Sequence, residues 1–301
     1  MYGLGTGESI GEEIIEDFQH VSSNRGVWDS HWQEVAERIL PAYSNTFFQN
    51  SYRTPGEKRT ELMFDSTASI ALKRFAAILD SLLTPRNSTW HRIMASDPAL
   101  MKDRDTRLWF EEVTRALFKY RYAPKANFSS QNQQNYISLG AFGNGCVFVD
   151  QLQSEPGLRY RAISLGEIYF CENHQGIVDT AYRRFKLTGK QALQKWGDQL
   201  PQEIRDKISC DGKKEFWFIH CVKPRINYDP ERLDTKGKPW GSYYVAEEGR
   251  SLISEEGYDT FPYAISRYEQ APGEVYGRGP AMDVLPAVKT LNEEKKTVLK
   301  Q

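Results

Sequence analysis

Histidine and cysteine are the side chains that most often hold metals or act as nucleophiles, and this sequence of 301 residues contains five of the first and four of the second. His20, His31, His91, His174 and His220 are scattered, and none forms an HxxxH or HxH pair beside a carboxylate. No metal site is expected. Cys146, Cys171, Cys210 and Cys221 form no CxxC pair, which removes zinc ribbons and thioredoxin-type redox motifs and leaves buried free thiols. There is no GxSxG elbow for nucleophilic catalysis. Carboxylate neighbours such as Glu12 with Glu13, or Glu293 with Glu294, are adjacent on helices and read as solvated faces. The run Gly3-Leu4-Gly5-Thr6-Gly7-Glu8-Ser9 has the glycines of a phosphate loop, yet no strand precedes it and Glu8 stands where lysine would be needed. The sequence predicts no catalytic residue and no cofactor.

Basic residues offer a different chemistry. Arg183 and Arg184 precede Phe185 in a strand-like run, a combination able to make a basic, aromatic nucleic-acid surface. Successive strand residues face opposite sides, so at most one arginine shares a face with Phe185, and an ion pair between subunits is the preferred reading. Across the chain, 39 basic and 40 acidic residues give a net charge of -1, which argues against a surface built to grip phosphate over a wide area.

Elements that could position these groups follow from hydrophobic spacing. Ser9 with Glu12 makes a capping box ahead of Ile10, Ile14, Phe18 and Val21, and Trp28, Trp32, Val35 and Ile39 make a second helical stripe ended by Pro41. Beyond a polar loop through Pro55 and Gly56, Asp65 or Ser66 caps a third helix with the stripe Ala68, Leu72, Phe75, Leu79 and Leu82. A fourth, from near Asp105, is expected to bury Leu108, Trp109, Val113, Ala116, Leu117 and Tyr120 before Pro124, and a glutamine-rich helix spans Ser129 to Leu139. The texture then changes to short β-branched and aromatic runs, GNGCVFVD, LRYRAI, EIYFCE, VDTAYRRF, EFWFIHCV, SYYVAE and PYAISRY. Asn173 to Gly176 reads as a hairpin turn, Thr188 to Trp196 as a small helix stopped by Gly197, and Pro224 to Gly241 as an exposed excursion. The predicted class is α+β, with a helical N-terminal half, a mixed or antiparallel sheet in the second half and a long C-terminal helix. Forty per cent hydrophobic content supports a core, and no run approaches the roughly 20 apolar residues of a membrane span. Without a secretory pattern, a reducing cytosol is the expected setting.

The closing stretch YGRGPAMDVLPAVKTLNEEKKTVLKQ enters a helix at Pro280, and Val288, Leu291, Val298 and Leu299 fall near one side among charged residues. No cap precedes Gln301, so either the chain is expected to be a fragment or the helix to continue in further residues.

Taken in order, Arg38-Ile39-Leu40-Pro41, Phe64-Asp65-Ser66-Thr67-Ala68, Leu82-Leu83-Thr84-Pro85 with Trp90, Gly140 with Gly143-Asn144-Gly145, Gly176-Ile177-Val178-Asp179 into Arg183-Arg184-Phe185, Gln191 to Trp196-Gly197, and YGRGPAMDVLP resemble the portal, or head-to-tail connector, proteins of short-tailed bacteriophages. The resemblance spans nearly the whole chain. It implies a non-enzymatic ring, usually of twelve subunits, at one capsid vertex, through which double-stranded DNA passes in packaging and ejection. It implies partners in the terminase, capsid, scaffold and tail adaptor proteins, no membrane, and a place in the virion after assembly in the bacterial host cytoplasm. On that pattern 1–140 is the helical part of the wing, 141–275 its β-rich part and 276–301 the start of a stem helix, with clip, second stem helix and crown absent. Lys289, Lys295, Lys296 and Lys300 become candidates for the stem face toward the channel or a neighbouring stem, and Arg183, Arg184, Trp28 and Trp32 for subunit contacts. Two alternatives stand beside it: a cytosolic α+β nucleic-acid-processing enzyme using Arg183, Arg184 and His174, and a non-catalytic scaffold or adaptor.

Overall fold

The first apolar stripe forms helix α1, Gly7–Asn24, in a computed structural model that describes residues 7–44, 46–47, 59–152 and 155–301. The glycine-rich run ahead of Gly7, the side chain of Ser9 and the loop through Pro55 and Gly56 lie outside the described residues. Two compact units result: residues 1–30 with 165–262, and residues 31–164 with 263–301. They are interleaved in sequence, each joining helices from the first half to strands from the second. Helix α2, Gly26–Ile39, runs from the first unit into the second.

In the first unit, β3 (Ile168–Glu172), β4 (Val178–Thr188), β5 (Glu215–Pro224), β6 (Trp240–Ala246) and β7 (Ser251–Tyr258) form one antiparallel sheet in the order β3-β4-β5-β6-β7. Side chains alternate across it, as a pleated strand requires. Tyr182, Ile219, Cys221, Tyr243 and Val245 meet Ile14, Ile15 and Phe18 of α1. The opposite face carries Phe185, Phe216, Phe218, Tyr244 and Ala246 against α6 (Gly189–Trp196) and α7 (Gln202–Cys210). The turn after β3 forms as its residues dictate: Asn173 Oδ1 accepts from the backbone N–H groups of Gln175 and Ile177, and Gly176 has φ +77°. Thr188 and Gln191 make a capping box at the start of α6.

The second unit contains α3 (Thr67–Leu83), α4 (Arg104–Arg121), α5 (Phe128–Phe142), a three-stranded antiparallel sheet and two terminal helices. Its strands β1 (Asn144–Gln151), β2 (Leu158–Ala162) and β8 (Tyr263–Arg267) are ordered β2-β1-β8. Helix α5 is its centre, with Asn132, Asn135, Tyr136, Ser138, Gly140, Ala141 and Phe142 all buried. Thr84, which ends α3, is buried and accepts from Asn132 Nδ2 at 3.0 Å, so the LLTP motif fastens α3 to α5. Two helices depart from the sequence expectation. Leu82 of α3 is exposed, and the inward residues are Ser69, Leu72 and Ala76. Helix α4 buries only Thr114, while Leu108, Trp109, Ala116 and Tyr120 face outward. An apolar stripe records that a helix has a face to cover, and not which molecule covers it.

In the first unit His220 is buried, with Nε2 2.9 Å from Ser242 Oγ and its ring stacked on Tyr244 at 4.1 Å. Burial, helped by the positive charges of Lys195 and Arg183, holds its pKa well below the ordinary 6.5. The unfolded chain therefore takes up a proton near pH 6.5 that the folded chain refuses, and stability falls as pH drops through that value. Unfolding of a His220→Gln variant, measured in denaturant across about pH 7 to 5, should show a slope against pH smaller by close to one proton than that of the parent.

Candidate functional site

The closing helix is anchored at a corner where two sequence motifs meet. Asn144, fully buried at the start of β1, donates from Nδ2 to the carbonyls of Phe142 and Gly277, each at 2.9 Å. Its Oδ1 accepts from Gly277 N at 2.7 Å. One amide thus satisfies both backbone groups of Gly277 and a carbonyl at the end of α5, groups that would otherwise be buried unpaired. Gly143 has φ +73°, and a Cβ there would lie 2.4 Å from the Gly277 carbonyl oxygen. A Cβ on Gly279 would lie 2.6 Å from Gly143 N, so backbone meets backbone on both sides of Arg278. Tyr276 packs edge-on against Trp32 at 5.2 Å, and Arg278 holds Glu274 through two bonds of 2.6 and 2.8 Å.

Beyond this corner, Pro280 opens α8 (Pro280–Asp283) and the chain continues as α9 (Leu285–Lys300). The expected single helix is interrupted at Val284, because Pro286 has no N–H to give the carbonyl of Met282. The first half of α9 is fastened: Leu285, Val288 and Asn292 are buried. Asn292 Oδ1 accepts from Phe64 N at 2.9 Å and Asp65 N at 3.0 Å, which ties α9 to the FDSTA motif. The last turns are bare, with Val298 and Leu299 exposed by 68% and 74%.

The four candidate lysines separate on this helix. With 3.6 residues per turn, Lys289, Lys296 and Lys300 fall within about 40° of one another and Lys295 about 120° away. Lys289 is paired with Glu34 of α2, whose carboxyl it holds below the ordinary range, and Lys296 with Glu293 at 3.1 Å. Lys295 and Lys300 are exposed. An open groove beside α9 is lined by Lys289, Thr290, Glu293, Glu294, Thr297 and Val298.

The candidates for subunit contacts behave differently. Arg183 and Arg184 lie on opposite faces of β4, as the strand period requires. Arg183 bonds Glu167 at 3.0 Å and lies over Phe185, and Arg184 bonds Glu247 at 2.7 and 2.8 Å and lies over Trp217. Both ion pairs are within the chain, where an intersubunit pair was expected. Trp28 is half-buried. Trp32 is completely buried, packed on Phe47 and Tyr276, so its ring has no surface left for a neighbour. His174 is exposed at the hairpin turn and is not gathered with either arginine. Among the described residues no group of three His, Cys, Asp or Glu side chains is set to hold a metal ion, and no helix is long and apolar enough to cross a membrane.

The chain is α+β, with helices in the first half, antiparallel sheets in the second and a helix launched from a glycine corner, and the profile of the bacteriophage head to tail connecting protein family matches its residues 11–301. The chain belongs to that family. It is 29% identical over 287 residues to the probable portal protein of Bordetella phage BPP-1, covering 94% of this chain and 51% of that protein. It is 28% identical over 295 residues to the portal protein of Salmonella phage epsilon15, covering 96% and 52%. The chain thus spans about half the length of the curated relatives it matches.

Sequence reasoning did not pair Asn144 with Gly277, although both lay in quoted motifs, Gly143-Asn144-Gly145 and Gly277-Arg278-Gly279, whose common signal is a pair of glycines one residue apart. Replacing Asn144 by Ala leaves three buried backbone groups without partners and should cost about 3 kcal/mol or more of stability, measured by denaturant unfolding.

Proposed function

We propose that this chain is the wing and first stem segment of a portal subunit, a structural and non-catalytic component of the virion that joins head to tail. The family match along nearly the full chain carries the reading. In it, residues 1–140 supply the helical part of the wing, 141–275 the β-rich part and 276–301 the start of the stem. Twelve subunits close a ring at one capsid vertex, assembled in the host cytoplasm, and double-stranded DNA passes through it in packaging and ejection. Terminase, capsid, scaffold and tail adaptor proteins are the partners.

Physical features support it. DNA must slide through such a channel, and every phosphate neutralised by a fixed cation releases counterions and strengthens the grip. A net charge of -1 suits passage. Within α9, Lys289 and Lys296 already have carboxylate partners, which reduces the field they present. The face they share with Lys300 is the proposed stem face toward the channel or a neighbouring stem. Arg183, Arg184 and Trp28 remain proposed subunit contacts, the arginines through whatever surface their internal ion pairs leave.

Mass measurement on the full-length protein should find closed assemblies of many subunits, and monomers under all conditions would overturn the reading. Reversing the charge of Lys289, Lys296 and Lys300 together should impair packaging or assembly in a phage complementation assay. If both processes persist at the parental level, the stem-face assignment is wrong.

A further inference from the structure

Two stripes of the second unit are largely uncovered, with only Thr106, Val113 and Phe75 half-buried along them, and they match each other. On α4, Thr106, Trp109, Val113, Ala116 and Tyr120 follow a spacing of three and four residues, the period of a seam between packed helices. Trp109 is 59% exposed and Tyr120 47%. On α3, Ala71, Phe75, Ile78 and Leu82 keep the same spacing, with Ile78 57% exposed and Leu82 72%. Phe75 is half-buried, its ring edge-on to Tyr268 at 5.9 Å, and forms the floor of that stripe. The helices have 17 and 18 residues, each about 26 Å long, and the α4 stripe is long enough to cover the whole of the α3 stripe.

We propose that α4 of one copy of this protein packs antiparallel against α3 of a second copy. The proposal rests on the ring reading above and names its contact. Charge placement favours it. Arg74 flanks the α3 stripe and Glu112 flanks the α4 stripe on the side that an antiparallel pair brings together. With Phe75 opposite Val113, the two charges lie beside one another. Among the described residues Arg74 has no carboxylate partner and Glu112 no cationic one. Burying apolar stripes of this size stabilises association, and the flanking pair fixes direction and register. The two surfaces differ and lie on one chain, so the contact is head-to-tail, the type that repeats around a closed ring. Helix α4 can meet a neighbour without unfolding anything: its inner side is already held where Thr114 Oγ1 accepts from Ile93 N at 3.1 Å.

The test uses the full-length protein, with assembly followed by sedimentation and native mass measurement and folding by circular dichroism. Leu82→Asp and Trp109→Asp should each abolish or weaken assembly at least tenfold while leaving the helical signal intact. Arg74→Glu and Glu112→Arg should each weaken it severalfold, and the combined variant should recover it, which a merely local effect on folding would not produce. If the parent forms rings and all four variants form them equally well, the stripes cover another protein and the proposal is overturned while the ring reading stands. If the parent is monomeric at every concentration, the ring reading falls, and this contact with it.

Discussion

The second unit depends on one buried side chain, the amide of Asn144. Its three bonds, all between 2.7 and 2.9 Å, join the end of α5, the start of β1 and the backbone of Gly277. A buried amide that satisfies three backbone groups is worth more than its own net bonds, because each partner would be left dry and unpaired without it. The glycines around it are the condition for this arrangement. Gly143, Gly277 and Gly279 let two stretches of chain come closer than any Cβ allows. The direction in which α8 leaves this corner is therefore set by backbone contact.

From that corner the chain allocates its apolar surface unevenly. The first unit is closed on both sheet faces by α1 and by α6 with α7. The second leaves α3, α4 and the end of α9 with large apolar side chains in solvent. Exposed apolar residues are ordinary when scattered, and informative when they repeat at helical spacing along one face. On the proposed assembly these faces belong to neighbouring chains.

Much of this was legible in the sequence. The places of the main helices, the Asn173 turn, the small helix stopped by Gly197 and the change from helices to strands each had a local physical signature that the structure repeats. What was not legible has physical reasons. The strand β7 was missed because Ser254, Glu255, Glu256 and Gly257 lack the β-branched and aromatic enrichment of the central strands, as edge strands often do. Helix α7 was missed because nine residues carry only two turns of pattern. The outward turn of Trp109 and Leu82 was invisible because amphipathic spacing is the same whether the covering surface comes from this chain or another. The internal partners of Arg183 and Arg184 were invisible for a related reason: Glu167 and Glu247 come close only through sheet pairing and the turn that follows β6.

The central claim is that this chain belongs to a subunit of a ring whose opening is surrounded by helix α9. Electron-microscopic averages of the full-length protein viewed down its assembly axis test it most directly. The account predicts closed rings of regular symmetry with α9 of every subunit around the central hole. Particles without a central opening, or rings with α9 on the outer rim, would contradict it.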